Sequence, residues 1–237
     1  MSNKIDITNI KQQILKQLGS SGWNTLFRMY INSYEFDQII AKLADRVEIG
    51  KRFTPPVKDM FKAFEICPLE KLKVVILGDG LNSDFGRAMG IAYSSYNTNL
   101  SCPTQNLILN EVKKLYPDST TKDVSEWGSQ GVLLLNTCLT TDLWGQPEQH
   151  KEIWEDFIKY ILDVISCNYP NTVFCLLGDY AHGFSHNLNS CGFIETGSPR
   201  EKYYTSVHRG VWDSKNMFVT CNSYIARKIG ESEIIKW

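Results

Sequence analysis

Three short apolar runs constrain the fold of this chain more than any other feature. Each run ends at a glycine or an asparagine: Lys73–Leu77 before Gly78, Gly131–Leu135 before Asn136, and Thr172–Leu177 before Gly178. Such continuous apolarity is typical of strands that are buried on both faces. Helical patterns lie between the runs, at about 104–116 and 150–166. The alternation predicts an α/β domain in which helices cover both faces of a mostly parallel sheet.

The segments that follow these strands are where a ligand site is expected. In a parallel α/β sheet, ligands bind beyond the carboxyl ends of the strands. We therefore predict that Gly78–Gly86, Asn136–Gln146 and Gly178–His182 converge on one cleft.

The length of the chain fits one domain, since α/β domains of 237 residues are common and bury a sizeable core. Residues 8–47 carry apolar positions at helical spacing and are interrupted at Gly19–Gly22. This pattern predicts two or three helices. We expect a single domain over residues 1–237, with a helical region at 1–50 packed on it.

Composition limits the class of protein. The net charge of −1 means that a nucleic-acid partner would need a local basic face. No apolar run approaches 18 residues and the first 17 residues do not resemble a signal peptide, so we expect an intracellular protein without a membrane span. The seven cysteines and four histidines lack metal-ligand spacing. We predict reduced thiols, no metal site and no cofactor.

Motifs of one known family occur in order along residues 23–237. They are a Pro-Pro loop and Phe-x-Ala-Phe helix at 53–64, a strand and loop at 73–94, a Cys-Pro-Thr loop at 102–104, a Leu-Leu-Leu-Asn-Thr strand within 127–140, a His-Lys-Glu helix start at 150–157, and a terminal Trp237. In these motifs the chain resembles the uracil-DNA glycosylase family. The resemblance implies that family's fold, a single domain around a four-stranded sheet, and DNA as partner.

The residues that would recognise a base match the family well. The resemblance implies base binding at Gly78, Gly80, Tyr93 and Asn136. An amide such as that of Asn136 can pair with the O4/N3 edge of a flipped pyrimidine, and an aromatic ring at Tyr93 can stack on the base. The alternatives are a strand-end turn for Asn136 and a core aromatic for Tyr93.

The catalytic motif does not match. Where the family has Gly-Gln-Asp-Pro-Tyr-His, residues 78–83 read Gly-Asp-Gly-Leu-Asn-Ser. The water-activating carboxylate is replaced by Gly80, the tyrosine that excludes a 5-methyl group by Asn82, and the late electrophilic histidine by Thr196. A positioned acid or base contributes roughly 10²–10⁴-fold and an oxyanion donor roughly 10²–10³-fold. We therefore expect no efficient uracil excision.

Two residues of this loop are candidates for an altered catalytic role. Asp79 could turn into the water site, or it could cap a turn beside its flanking glycines. Asn82 could orient a water molecule, or be a turn residue. Its small side chain also predicts a pocket that admits thymine or a 5-substituted uracil or cytosine.

DNA contacts are predicted at loops and helix starts. The segment 199–209 interleaves basic and aromatic residues, and Arg200 aligns with the family's leucine wedge. His150 has a helix-capping alternative. The predicted DNA-binding residues are Thr104, Gln105, His150, Thr196, Ser198, Arg200, Lys202, Tyr203, His208 and Arg209. We expect a monomer.

Three functions remain open at this point. The first is a glycosylase-related protein that binds a flipped, non-uracil pyrimidine with weak or altered N-glycosylase activity. The second is a transferase, for example a glycosyltransferase, that modifies a 5-substituted pyrimidine in DNA and uses a sugar-nucleotide donor. The third is a catalytically inactive DNA-binding or scaffold protein.

Overall fold

The structure, a computed structural model, describes residues 6–96, 102–146, 149–188, 191–200 and 212–237. Its centre is a four-stranded sheet of β2 (Val74–Gly78), β3 (Val132–Asn136), β5 (Val173–Leu177) and β6 (Phe193–Thr196). The strands lie in the order β3-β2-β5-β6, and each neighbouring pair is parallel. Two short strands, β1 (Phe53–Thr54) and β4 (Thr141–Asp142), pair antiparallel beside it. The predicted α/β fold with a four-stranded sheet is confirmed.

Helices cover the sheet close to where the apolar spacing predicts them. They are α1 (Ile7–Gly19), α2 (Asn24–Ile31), α3 (Tyr34–Glu48), α4 (Lys62–Ile66), α5 (Pro103–Leu115), α6 (Lys151–Asn168), α7 (Asp179–His182) and α8 (Met217–Lys228). Proline opens α5, where its missing N–H costs nothing. Within the described residues, no helix is both long and apolar enough to cross a bilayer.

The N-terminal helices pack on the rest of the domain through buried aromatic side chains. The Trp23 ring lies 5.2 Å from the ring of Phe64, between ring centroids, and its indole N–H donates to the carbonyl of Cys67 at 2.7 Å. On α3, the Phe36 ring lies 6.0 Å from Phe157 of α6. Buried aromatic contacts of this kind join α3 and the start of α2 to the domain core.

The register of the sheet brings the ends of its strands to one edge. Gly78 is paired with Asn136 on one side and with Leu177 on the other. The carbonyl of Gly78 accepts from the N–H of Thr137 at 2.9 Å, and Gly178 N–H donates to Thr196 at 3.0 Å. The strand ends therefore share one edge of the sheet, as predicted, but of the three segments only the first and Asn136 of the second line the cavity at that edge.

Candidate functional site

A cavity of about 120 Å³ opens at the carboxyl ends of β2 and β3. It is lined by Asp79, Gly80, Leu81, Asn82, Ser83, Asp84, Ala88, Ile91, Tyr93, Ser94, Ser95, Cys102, Pro103, Thr104, Asn136 and Arg200. A closed apolar cavity of roughly 150 Å³ holds benzene. This cavity is slightly smaller but open to solvent, so it can admit a single six-membered ring.

Asn136 and Tyr93 meet in this cavity. Asn136 is the last residue of β3 and is 4% exposed as a residue, and no described residue forms a hydrogen bond with its side-chain amide. An amide that reaches the cavity without an internal partner can bond a ligand or water there. Tyr93 has a left-handed backbone with a φ of +65°. Its ring lies over Gly78, where a Cβ atom would be 2.8 Å from the ring, so glycine is required there.

Asp79 lines the cavity, but its carboxylate also bonds to a neighbouring element. Its Oδ1 accepts a hydrogen bond from the backbone N–H of Ala181 at 2.8 Å, in the first turn of α7. A Cβ atom at Gly178 would lie 1.8 Å from Asp79 Oδ2. Asp79 thus supplies an N-terminal cap to α7 from another strand end. This geometry favours a structural role for Asp79 over the predicted catalytic one.

Asn82 is an exposed residue in a turn at the cavity rim. Its Oδ1 accepts from the N–H of Asp84 at 2.9 Å, which is an Asx turn. Its amide nitrogen has no partner among the described residues. Gly80, two residues earlier, has a φ of +69° and donates its N–H to Thr137 Oγ1 at 3.3 Å. Asn82 therefore performs the turn role, while its amide nitrogen stays available at the cavity.

Arg200 is one of two predicted DNA-binding residues that line the cavity. Thr196 and Ser198 are almost fully buried. The hydroxyl of Thr196 donates to the carbonyl of Gly197 at 3.2 Å, and Ser198 Oγ accepts from the N–H of Arg200. Because of this burial, Thr196 and Ser198 do not present their hydroxyls to a phosphate as predicted. Lys202, Tyr203, His208 and Arg209 lie outside the described residues.

The DNA contacts predicted at the starts of α5 and α6 are supported for only one of three residues. Thr104 lines the cavity, but Gln105 is buried and its Oε1 accepts from the N–H of Val124 at 3.5 Å. His150 is 1% exposed and precedes α6 without a capping hydrogen bond from its side chain. Direct DNA contact by Gln105 or His150 is therefore not supported by their geometry, and neither is the capping role for His150.

His150 belongs instead to a buried polar network. Its Nε2 lies 3.0 Å from Asp142 Oδ1 and its Nδ1 lies 3.0 Å from Thr140 Oγ1. The indole N–H of Trp154 donates to the same hydroxyl at 2.7 Å, and Arg46 of α3 forms a two-bonded ion pair with Asp142. These partners fit a neutral imidazole that donates from Nε2 and accepts at Nδ1.

The network changes the protonation of its two central groups. Burial is the largest influence on the pKa of the His150 imidazole and, with the charge of Arg46, holds that pKa below its usual value although the Asp142 carboxylate raises it. Burial also raises the pKa of the Asp142 carboxyl, but the hydrogen bonds from Arg46 and His150 outweigh it and hold that pKa below its usual value. The network therefore joins α3, β4 and α6 as a neutral histidine beside an Arg–Asp pair.

One acidic residue at the cavity was missed from the sequence. Asp84 lines the cavity and pairs with Arg87, with 3.5 Å between Oδ2 and Nε. Asp84 falls within the segment 78–86 that was expected to reach the cleft, so its position along the chain was the available signal. Elsewhere, the described residues contain no cluster of three or more His, Cys, Asp or Glu side chains suited to a metal ion.

Comparison with known sequences decides the family. No family model matches the chain. A uracil-DNA glycosylase from Francisella philomiragia is 32% identical over 208 residues, which are 85% of this chain and 92% of the relative. One from Streptococcus pneumoniae is 32% identical over 224 residues, 92% of this chain and 98% of the relative. The chain belongs to the uracil-DNA glycosylase family.

Solved structures of the uracil-DNA glycosylase family share the fold. A mimivirus UNG variant in complex with UGI superposes with a TM-score of 0.78 at 21% identity, covering 94% of this chain and 90% of that chain. A mimivirus uracil-DNA glycosylase gives 0.75 at 23% identity, covering 91% and 86%. The UNG of Nitratifractor salsuginis gives 0.55 at 16% identity, covering 99% of both chains. At these identities the similarity supports the fold alone.

Proposed function

We propose that this member of the uracil-DNA glycosylase family binds DNA and holds a flipped-out pyrimidine other than plain uracil in the cavity beside β2 and β3. We further propose that its N-glycosylase activity is weak or altered. The observation that carries the proposal is the nearly buried amide of Asn136, which lines a ring-sized cavity and has no partner among the described residues. Tyr93 lines the same cavity and offers an aromatic face to the base.

The preference for a 5-substituted pyrimidine rests on Asn82. The residue stands where the family motif has a tyrosine, and its side chain is small and exposed at the rim. A methyl or hydroxymethyl group at C5 would then find space where a ring otherwise lies. The amide nitrogen of Asn82 can donate a hydrogen bond to a hydroxyl on that group.

We expect weak excision because of the residues that stand where the family has its catalytic groups. Gly80 carries no carboxylate, the carboxylate of Asp79 is held by Ala181, and Thr196 is a buried hydroxyl. Losing a general base and an oxyanion donor together lowers the rate by roughly 10⁴–10⁷-fold if the two effects multiply. Asn82 remains as a residue that can orient water without deprotonating it.

Mass spectrometry of DNA after incubation with the protein tests this proposal. The panel carries uracil, thymine, 5-hydroxymethyluracil, cytosine or 5-hydroxymethylcytosine in single strands and duplexes, with and without nucleotide sugars. We expect slow loss of a 5-substituted base and little loss of uracil. A donor-dependent mass gain would instead establish the transferase. Unchanged masses, with no preference for any base in binding, would refute the proposal.

Three variants sharpen the test. Asn136→Ala removes the recognising amide and should abolish base preference. Asn82→Tyr restores a ring beside C5 and should reduce binding of 5-substituted bases about 5- to 150-fold, because overpacking costs roughly 1–3 kcal/mol. Binding of the unsubstituted base should change little in that variant. Asn168→Ala is the control, since this exposed amide ends α6 near the amino ends of the strands.

A further inference from the structure

One tryptophan differs from all the others in its exposure. The chain has six tryptophans and all are described. Trp144 is 73% exposed, whereas the other five are at most 4% exposed. Phe85, one residue after the cavity-lining Asp84, is 74% exposed. Exposed apolar rings that share one surface can bind an external partner.

The backbone conformation of Trp144 is also unfavourable. Its φ is +58°, in the left-handed region that bulky residues seldom adopt. Strained residues of this kind are concentrated at binding sites, where the surrounding structure holds them. Here the N–H of Trp144 donates to the carbonyl of Ser83 at 2.8 Å, and Ser83 lines the cavity. The indole is thus presented by a turn that is tied directly to the cavity loop.

The groove beside Trp144 contains two lysines that can contact the phosphates of a nucleic-acid strand. Its walls include Lys51 and Lys151 together with polar Gln146 and Gln149. Its acidic residues are Asp142, which is paired with Arg46 and His150, and Glu152 in the first turn of α6. Lysines beside an exposed aromatic ring are the combination that follows a phosphate backbone while stacking its bases.

We propose that Trp144, together with Phe85 of the loop to which Trp144 is bonded, is a stacking platform for an unpaired base of single-stranded DNA adjacent to the nucleotide in the cavity. The inference rests on the proposed function, because it extends the DNA path from that cavity. A single strand is the expected occupant, because a paired and stacked base in a duplex has no free face for the indole. The two lysines would contact the phosphates of the same strand.

Tryptophan fluorescence tests the platform directly, since Trp144 is the one tryptophan exposed to solvent. A 15-nucleotide single strand of thymidines should quench the emission, while the matching duplex and free thymidine monophosphate should quench it much less. Trp144→Ala should lose this quenching and bind the single strand about 5- to 150-fold more weakly. Phe85→Ala should weaken binding in the same direction, and Trp144→Phe should retain most of the affinity.

A matched control is available on α3. Tyr34 is 71% exposed and lies about 18 Å along the helix from Arg46, which contacts Asp142. Tyr34→Ala should leave single-strand binding unchanged. Unaltered melting temperatures for Trp144→Ala and Tyr34→Ala would show that affinity, and not folding, has changed.

The variant Asn136→Ala separates failure of the platform from failure of the cavity. If Trp144→Ala binds the single strand as the wild type does, the platform is refuted whatever Asn136→Ala does. If Asn136→Ala keeps the wild-type base preference while Trp144→Ala is impaired, the platform stands and the proposed base pocket fails. Quenching by the free monophosphate equal to that by the strand would refute the platform in favour of a nucleotide site. Absence of DNA binding would refute both.

Discussion

Substitution of Asp79 separates its structural role from a catalytic one. Asp79→Ala removes the oxygen that accepts from Ala181 N–H at 2.8 Å. Loss of a helix cap costs about 0.5–2 kcal/mol of unfolding free energy. For a domain of 150–250 residues, each kcal/mol shifts the melting temperature by about 2–4 °C. We therefore expect Asp79→Ala to melt about 1–8 °C below the wild type.

The variant Asp79→Asn distinguishes a structural from a catalytic role more clearly than Asp79→Ala does. The amide keeps an oxygen acceptor for Ala181 but cannot act as a base. If Asp79 is a cap, this variant should melt close to the wild type and keep its rate of base release. A catalytic carboxylate contributes roughly 10²–10⁴-fold, so its loss would be plain in the rate.

The assay combines thermal unfolding by circular dichroism with single-turnover base release on the most reactive oligonucleotide of the panel. Asp118→Ala is the control, since it removes an exposed carboxylate from a turn. An Asp79→Asn protein with an unchanged melting temperature and a rate at least about 100-fold lower would refute a purely structural role for Asp79. An unchanged melting temperature in Asp79→Ala would also refute it.

Three further predictions concern stability and reactivity. The pKa values of His150 and Asp142 are both lowered in the folded protein, so the unfolded chain binds more protons in acid. The free energy of unfolding, measured with urea, should therefore fall as the pH drops below about 6.5, and a flat profile would contradict this. Gly178→Ala places a Cβ atom 1.8 Å from Asp79 Oδ2 at a φ of +100°, so it should lower the free energy of unfolding by about 1–3 kcal/mol in denaturant titrations. The double variant with Asp79→Ala should lose less stability than the two single variants together. A thiol reagent should modify the exposed Cys167 of the native protein well before any of the buried cysteines, which mass analysis of labelled peptides checks.

The architecture could be predicted from local pattern. The run Val74–Gly78 is apolar at every position, and all five of its residues are buried in the central strand. The spacing at 104–116 and 150–166 predicted α5 and α6 within two residues at each end. These predictions succeed because burial and helix periodicity are properties of neighbouring residues, which the order of amino acids shows directly.

The position of Asn136 at a strand end was predictable for the same reason. Parallel strands end at a common edge, so a polar residue that follows an apolar run must reach the cleft. The strand register places Asn136 beside Gly78, and Tyr93 packs over that glycine. The position of Asn136 therefore followed from the apolar runs and their ends, whereas Tyr93 was predicted from the family resemblance.

The direction of individual polar side chains depended on partners far away in the chain. Asp79 meets Ala181 at a separation of 102 residues, and Arg46 meets Asp142 at 96. The same packing buries His150 in that network and gives Trp144 its bond to Ser83. A short polar side chain takes whichever buried partner the fold brings within about 3 Å, because an unpaired buried group is costly. The local sequence does not show which partner will lie within that distance, so these roles can be assigned only from the assembled strands and helices.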